Sequence, residues 1–359
     1  MKKKSLGRYV ISYSAIDHFS MTTSIQHNPP SYRPILQSDR MYLRVLGCAS
    51  AKPTLELFPT AQSLHLRDKI FLIDCGEGAQ RQMLRYHVSF ANLHRIFLSH
   101  LHGDHCLGLP GLLCTMSLYG FTHPVHIYGP KGTAKFVQMI IDLFCTADRD
   151  RIIPHEVDHT TSTLIYEDRS LTVETIPLKH RVPTVGYLFR EKPLARHLDR
   201  ASADFYEVPV SHFARIKAGS DYTKPNGEVI PNARLTKPAR RPFSYAFCSD
   251  TAYSPSVAKM VHGVDLLYHE ATFSRELQER ASETLHSSST DAARVAHEAE
   301  VGHLLIGHYS GRYLTRSDRF LLLAESREVF PLTLAADDGL LIDFKELRDQ
   351  LTHPIHSLD

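Results

Sequence analysis

One short segment with three histidines and one aspartate limits what this chain can fold into. The segment reads FLSHLHGDHCLGLPGLL and covers residues 97–113. His100 and His102 alternate along the chain, so both imidazoles can point to one side of an extended backbone. Asp104 and His105 come next, as a helix begins, and point in another direction. Imidazole and carboxylate groups without thiolates suit a zinc site with open coordination positions, so we expect the fold to bring further ligands to this loop.

Strand-like and helix-like segments alternate along most of the chain. The sequence predicts buried strands at MYLRVLG, IFLID, RIFLSH, VHIYG, LTVETIPL, VGYLFRE, FSYAFCSD, DLLYHE and HLLIGH. It predicts helices at AQRQMLRY, CLGLPGLLCTMSLYG, TAKFVQMIIDLF, TDAARVAHEAE and SDRFLLLAESREVF. The order is not strictly strand–helix–strand, which favours sheets packed between layers of helices.

Two regions depart from this alternation. Residues 1–40 are polar, lack periodicity and contain the pair Pro29 and Pro30, so we predict a loosely ordered extension before a catalytic domain at 41–359. Residues 191–242 are rich in charge, proline and glycine, yet strand pattern resumes directly after them. We therefore predict an inserted arm at about 191–242 rather than a linker between two domains.

The composition limits the class and the location of the protein. The formal net charge is only +2, so any nucleic-acid-binding surface has to be local. The six cysteines are scattered without a C-x-x-C pair, which favours reduced thiols in a cytoplasm. No apolar run is long enough to span a membrane, and the N-terminal segment is too short and too polar for a secretory signal. The sequence therefore predicts a cytoplasmic protein with no membrane association.

The H-x-H-x-D-H segment behind a buried strand resembles the metal-binding loop of the metallo-β-lactamase superfamily of hydrolases. This resemblance implies an αββα sandwich, in which two mixed sheets are flanked by helices and the metal site lies at the sheet edges. It also implies ligands further along the chain, and His180, Asp250 and His308 each lie just past a predicted apolar strand. Each has a plainer explanation by itself, such as a helix cap for Asp250, but the three together favour a shared site.

The same resemblance implies how the ligands divide between two Zn²⁺ ions. One ion takes three histidines, the other takes one aspartate and two histidines, and a second aspartate bridges them. In that order the ligands are His100, His102 and His180, then Asp104, His105 and His308, and finally Asp250. Two cations a few ångströms apart activate a shared water and clamp phosphate oxygens.

Longer motifs resemble the ribonuclease Z family, endonucleases that remove the 3′ trailer from precursor tRNA. The matching segments are DCGEGAQRQM, SHLHGDHCLGLPGLL, HRVPTVGY, SDTAYS, HEATF and the pair HSSST with GHYSGRY. The resemblance implies that Asp104, besides binding metal, orients or deprotonates the attacking water. It also implies that His286 protonates the leaving 3′-oxygen and that Glu270 orients His286 and keeps it charged. Taken alone, each residue has a plainer explanation. His286 could simply be a residue before the start of a helix, and Glu270 could be a carboxylate at a strand end in solvent. The resemblance further implies a homodimer.

The predicted arm has a larger positive net charge than the chain as a whole. Its ten basic and six acidic residues give a net charge of +4, against +2 for the chain. The ribonuclease Z family has a protruding arm here that grips tRNA. The candidate substrate-binding residues are Lys192, Arg196, Arg215, Lys217, Arg234 and Lys237. The arm lacks the Gly-Pro pair typical of the family, and AKPTLELFPTAQS at 51–63 lacks its usual Arg-Asn pair.

The leading interpretation is therefore a zinc-dependent tRNA 3′ endonuclease. An alternative is a phosphodiesterase of the same fold that acts on small phosphodiesters, but such an enzyme does not need a long basic insertion. A third hypothesis is a metal-binding or RNA-binding protein without catalysis. A protein that only binds metal or RNA needs no residue that acts on a water, as proposed for Asp104, and no proton-transfer pair such as His286 and Glu270.

Overall fold

Two seven-stranded sheets form the inner layers of the molecule. The computed structural model describes residues 40–52, 54–313 and 315–352. Along the chain the strands are β1 (Met41–Gly47), β2 (Ala61–Leu66), β3 (Lys69–Ile73), β4 (Leu93–Phe97), β5 (Val125–Gly129), β6 (Ile152–Glu156), β7 (Leu164–Glu167), β8 (Leu171–Pro177), β9 (Val185–Glu191), β10 (His197–Leu198), β11 (Tyr222–Thr223), β12 (Val229–Ile230), β13 (Thr236–Lys237), β14 (Ser244–Cys248), β15 (Leu266–Glu270), β16 (His303–Gly307), β17 (Thr333–Ala335) and β18 (Leu341–Asp343).

Helices cover the outer faces of both sheets, and three short helices lie in the segment between β9 and β14. In chain order the helices are α1 (Ala79–Arg85), α2 (Gly103–Cys106), α3 (Leu109–Leu118), α4 (Thr133–Phe144), α5 (Arg200–Phe205), α6 (Phe213–Lys217), α7 (Asn232–Leu235), α8 (Pro255–Met260), α9 (Gln278–Thr284), α10 (Ser289–Glu298), α11 (Arg316–Val329) and α12 (Phe344–Thr352). The three short helices between β9 and β14 are α5 to α7. None of the helices in the described part of the chain combines the length and the apolar character that a membrane span requires.

Both sheets are mixed. The first has the strand order β18-β1-β2-β3-β4-β5-β6, in which the strands from β3 to β6 run parallel and the others pair antiparallel. The second has the order β17-β16-β15-β14-β9-β8-β7, in which the strands from β14 to β17 run parallel. This architecture confirms the predicted αββα sandwich.

The core has one apolar layer between the sheets and another beneath the helices. Phe97 points into the interior of the sandwich, where its ring lies 5.1 Å from that of Tyr187 and 5.4 Å from that of Phe189. The preceding residue, Ile96, points to the opposite face and packs in the cluster under α3 and α4. Burying each such side chain contributes about 1.5–3 kcal/mol, so β4 is fixed on both faces just before the histidine-rich loop.

The helix predicted after β4 occurs as α3, and a short helix precedes it. The sequence predicted a helix at CLGLPGLLCTMSLYG, of which α3 fills most, while α2 lies before it and shares only Cys106 with the predicted segment. Gly108 lies between the two helices, and a Cβ atom there would lie 2.1 Å from the carbonyl oxygen of Gly76. Pro110 occupies the first turn of α3, where its missing N–H costs nothing. The backbone N–H of Gly108 donates to the carbonyl of Cys75 instead of continuing the helical hydrogen bonds of α2, so α3 begins as a separate helix.

The segment between β9 and β14 has a small apolar cluster of its own. It contains β10 to β13 and α5 to α7, and its buried side chains are Ala203, Val208, Ile216, Tyr222, Ile230 and Leu235. The strands on either side of it pair antiparallel, with Ser244 opposite Arg190. The sheet is thus continuous across this segment. The extension predicted at 1–40 lies outside the described residues except for Arg40.

Candidate metal centre and active site

All seven predicted ligands meet at one edge of the sandwich. The segment after β4 carries four of them, His100, His102, Asp104 and His105. The other three follow strands of the second sheet, with His180 after β8, Asp250 after β14 and His308 after β16. The ladder aligns these strand ends, since Cys248 lies opposite His269 and Glu270 opposite Gly307. Loops from both sheets therefore build one site.

Three histidines and Asp250 form the first cluster. His100 Nε2 lies 2.9 Å from His102 Nδ1 and 3.5 Å from Asp250 Oδ2. His180 Nε2 lies 3.8 Å from the same carboxylate oxygen. One potential ligand atom from each of the four side chains falls within 4.8 Å of the others. This is the grouping that the resemblance implied for the first ion.

Asp104, His105 and His308 form the second cluster. Asp104 Oδ2 lies 3.5 Å from His105 Nε2 and 3.4 Å from His308 Nε2, and these two ring nitrogens are 3.1 Å apart. The Oδ1 atom of Asp250 lies 3.1 Å from each of the same ring nitrogens. The two oxygens of Asp250 thus face different clusters, which is the geometry of a bridging ligand.

The arrangement fits a divalent cation. His180 Nε2 is buried and has no hydrogen-bond partner among the described residues, so a polar atom is aimed into the cluster without a donor or acceptor. Burial lowers the pKa of His105, but nearby carboxylates, led by that of Asp250, outweigh burial and raise this pKa well above its usual value. The second cluster therefore attracts positive charge, and the nitrogen and oxygen donors of both clusters are those that zinc accepts.

A buried carboxylate that the sequence analysis missed holds His105 in place. Asp74 ends the segment IFLID, and its Oδ2 atom lies 2.7 Å from His105 Nδ1. Its carboxylate also accepts hydrogen bonds from the backbone N–H and the hydroxyl of Ser99. Such a partner directs the other ring nitrogen of a ligand histidine towards the metal. The signal in the sequence was an aspartate at a strand end, directly before CGEG.

Three of the strand-end residues adopt the left-handed backbone conformation. The φ angles are 56° at Asp74, 55° at Asp250 and 59° at His308. Residues other than glycine rarely adopt such angles, and the strain they store is concentrated at functional sites. The backbone thus turns sharply where each of these side chains enters the site.

His286 and Glu270 lie beside the metal clusters as a hydrogen-bonded pair. His286 Nδ1 lies 2.8 Å from Glu270 Oε1 and 4.0 Å from Asp250 Oδ2. Burial lowers the pKa of His286, but the Glu270 carboxylate outweighs burial and raises it to about 9. Glu270 is fully buried, so it is not a solvated strand end. Because a third grouping of ligand atoms joins Asp250, His286 and His308, the geometry also leaves His286 within reach of a metal.

The six candidate substrate-binding residues are not equally free. Lys192 pairs with Glu167, and the Nε atom of Arg196 donates to the Thr236 hydroxyl. Arg234 donates to the Tyr206 hydroxyl. The remaining three are exposed on α6 and β13; they are Arg215, Lys217 and Lys237. Three of the six basic side chains therefore already contact other groups of the same chain.

Curated relatives match almost their whole length to this chain. The ribonuclease Z of Bacteroides fragilis is 49% identical over 304 residues, which are 85% of this chain and 99% of the relative. The ribonuclease Z of Porphyromonas gingivalis is 48% identical over 301 residues, which are 84% of this chain and 98% of the relative. A family model described as anti-Pycsar protein Apyc1 matches residues 41–139.

Solved structures share the fold. The short form of human tRNase Z has a TM-score of 0.59 and 25% identity, and the match covers 84% of this chain and 98% of that one. A long-form RNase Z from yeast has a TM-score of 0.63 and 17% identity, and covers 88% of this chain and 42% of that one. Because 48–49% of the aligned residues are identical to those of two curated relatives that are matched over almost their whole length, this chain belongs to the ribonuclease Z family.

Proposed function

We propose that the chain is a zinc-dependent endoribonuclease that removes the 3′ trailer from precursor tRNA. The products are a 3′-hydroxyl on the tRNA and a 5′-phosphate on the trailer. The observation that carries this proposal is the hydrogen-bonded pair of His286 and Glu270 directly beside a seven-residue ligand set. Binding a metal needs no such pair, whereas breaking a P–O bond needs a proton for the departing oxygen.

Two zinc ions per chain fit the ligand set. The first would be held by His100, His102 and His180, the second by Asp104, His105 and His308, with Asp250 between them. When bound, such a pair of cations supplies an activated water and positive charge for the phosphate oxygens.

Asp104 is proposed to orient the attacking water. Burial raises the pKa of Asp104, but His105 and His308 outweigh burial and hold this pKa well below its usual value. Its Oδ2 atom accepts a hydrogen bond of 2.6 Å from the backbone N–H of Ala51. The carboxylate is therefore ionised and held in one orientation.

His286 is proposed to give a proton to the leaving 3′-oxygen as the P–O bond breaks. Its Nδ1 atom is engaged by Glu270, so Nε2 is the atom that remains to donate. Glu270 receives a second hydrogen bond from the backbone N–H of Thr251 at 2.7 Å, which fixes the carboxylate against the ring. The pair thus holds the proton donor both charged and oriented.

The segment 191–242 is proposed to be an arm that contacts tRNA away from the cleavage site. The exposed side chains of Arg215, Lys217 and Lys237 suit phosphate contacts, which act through charge and shape rather than base sequence. We also propose that the catalytic domain starts near residue 41, because β1 begins at Met41 and pairs with β2 and β18 in the first sheet.

A homodimer in the cytoplasm completes the proposal. The outer surface of α3 and α4 exposes several large apolar side chains, namely Leu118, Tyr119, Met139, Leu143 and Phe144. Exposed apolar surface of this kind favours a protein interface, and a second copy of the chain is the proposed partner. The free state of all six cysteines agrees with a reducing compartment.

The test compares two substrates. The purified protein is incubated with end-labelled precursor tRNA and, separately, with bis(p-nitrophenyl) phosphate, with an Asp250→Ala variant as the metal-site control. We expect one cut at the 3′ end of the tRNA and a 5′-phosphate on the released trailer. Rapid hydrolysis of the ester with the tRNA left intact would favour the phosphodiesterase of small substrates instead.

A further inference from the structure

One buried hydroxyl touches both the metal centre and the proton-transfer pair. Thr272 follows β15 and is 4% exposed. Its Oγ1 atom lies 2.5 Å from Glu270 Oε2 and 2.9 Å from His308 Nδ1. We infer that Thr272 is a positioning residue that holds His308 as a metal ligand and Glu270 as the partner of His286 through this single hydroxyl. The inference rests on the roles proposed above for these two residues.

The directions of these hydrogen bonds follow from proton counting. The Thr272 hydroxyl has one proton, and the possible acceptors within reach are the Glu270 carboxylate, His308 Nδ1 and the backbone carbonyl of His308. A carboxylate is the strongest of these acceptors, so the proton goes to Glu270. The short contact to His308 Nδ1 must then have the ring nitrogen as its donor. His308 therefore carries its proton on Nδ1.

This tautomer prepares His308 to bind a metal. With the proton on Nδ1, the lone pair of Nε2 points at the second cluster, 3.1 Å from His105 Nε2 and 3.4 Å from Asp104 Oδ2. Hydrogen bonds of this type orient ligand histidines, and their loss typically weakens metal binding. Thr272 thus does for His308 what Asp74 does for His105.

The same hydroxyl completes the hydrogen bonds of Glu270. The Oε1 atom of Glu270 accepts from His286 Nδ1 and from the backbone N–H of Thr251, so Thr272 is the donor to Oε2. A fully buried carboxylate with an unpaired oxygen is strongly disfavoured. Removing the hydroxyl therefore leaves Glu270 Oε2 and His308 Nδ1 unpaired at the same time.

The experiment compares Thr272→Val, which keeps the shape, with Thr272→Ser, which keeps the hydroxyl. The control is Thr133→Val, because Thr133 is fully buried at the start of α4 and its hydroxyl has no hydrogen-bond partner among the described residues. Zinc affinity is measured by competition with a chelator, and precursor-tRNA cleavage is measured on the zinc-saturated proteins.

We expect Thr272→Val to weaken zinc binding by about 10- to 100-fold and to slow cleavage at saturating zinc by a similar factor. Thr272→Ser and Thr133→Val should match the unmodified protein in both measurements. In contrast, His286→Ala should slow cleavage without changing zinc affinity. The double variant Thr272→Val, His286→Ala should bind zinc as weakly as Thr272→Val alone.

Unchanged zinc affinity in Thr272→Val would overturn the inference. So would a Thr272→Ser protein that loses zinc as readily as the valine variant, because the hydroxyl is then irrelevant. If the valine variant does not fold, Thr272→Ala replaces it in the same comparison with serine. Zinc affinity needs no substrate, so it tests Thr272 even if the unmodified protein fails to cut precursor tRNA.

Discussion

At the residue scale, the ligand histidines differ in the group that holds their second ring nitrogen. A carboxylate holds His105, the backbone carbonyl of Leu285 holds His180 at 3.0 Å, and the Ser99 hydroxyl lies 3.0 Å from Nδ1 of His100. These contacts fix each ring before a metal arrives. Since Leu285 directly precedes His286, the backbone that orients one ligand also carries the proposed proton donor.

Replacing His286 separates chemistry from metal binding. We expect His286→Ala to keep both zinc ions and to bind precursor tRNA, yet to cleave about 10²- to 10⁴-fold more slowly, the usual scale of general acid catalysis. His297→Ala is the matched control, since this exposed histidine lies on α10 away from the ligand set. Single-turnover kinetics measures the cleavage rate, and elemental analysis measures the zinc content. Loss of zinc from His286→Ala would instead make His286 a ligand.

His65 makes the stability of the fold depend on pH. Its ring is buried, stacks on Tyr42 with centroids 4.4 Å apart, and has Nε2 2.9 Å from the Ser63 hydroxyl. Burial, with a smaller effect of the Arg44 charge, lowers the pKa of His65 to about 3. The unfolded chain, with a pKa near 6.5, takes up the proton first, so the stability contributed by neutral His65 falls as the pH drops from about 6.5 towards 3.

The variant His65→Phe tests this dependence. It keeps an aromatic ring against Tyr42 but cannot be protonated. Urea unfolding of the chelated proteins should show the unmodified chain losing up to about 1.4 kcal/mol per pH unit more than the variant between these pH values. Parallel losses in both proteins would mean that His65 is protonated as easily in the folded state.

At the scale of elements, the segment between β9 and β14 connects two strands that pair directly with each other, so its deletion leaves the sheet itself intact. We expect deletion of residues 196–237 to weaken precursor-tRNA binding and to leave hydrolysis of bis(p-nitrophenyl) phosphate nearly unchanged. The reason is that the segment buries its own apolar cluster, while the ligands lie on other elements.

A milder variant of the same segment provides the control. Arg215→Ala with Lys217→Ala removes two exposed charges from α6 and leaves its buried residue Ile216 in place. It should weaken tRNA binding and flatten the dependence of binding on salt. If the deletion reduces activity equally on both substrates, the segment supports the catalytic edge instead of binding tRNA.

The elements that sequence analysis predicted well are those with a strong hydrophobic pattern. The strand MYLRVLG and the helix TAKFVQMIIDLF both occur as predicted because long buried runs leave few alternatives. The two-residue strands β10 to β13 were missed because a pair of residues has no periodicity. The roles of Asp74 and Thr272 were missed for another reason: the histidines that they hold, His105 and His308, lie 31 and 36 residues away.

The candidate ligands on the loop after β4 were predicted from their own spacing, whereas His180, Asp250 and His308 were predicted from a resemblance. His100 and His102 show a local pattern, but nothing in the neighbourhood of His308 marks that residue as a ligand. The structure brings it to the site through the parallel pairing of β15 and β16, which a sequence without the family motif does not reveal.

At the scale of the whole molecule, each metal position takes ligands from both sheets. Because Asp250 faces both clusters, we expect two zinc ions per chain that are lost nearly together on chelation, with activity lost in parallel. Asp250→Ala should lose both, and chelation should lower the melting temperature, since the metal binds only the folded state. Elemental analysis that finds a single ion, unchanged in Asp250→Ala, would contradict a dinuclear site.

Because the candidate ligands are divided between the sheets, a chain cut into two fragments would have part of the ligand set on each fragment. A cut in the loop between β6 and β7, after residue 159, leaves His100 to His105 on one piece and His180, Asp250 and His308 on the other. β18 would then join β1 across the break. Two pieces made together should migrate as one complex on gel filtration, because the apolar layer between the sheets joins them, and chelation of zinc should lower the urea concentration at which the two pieces separate.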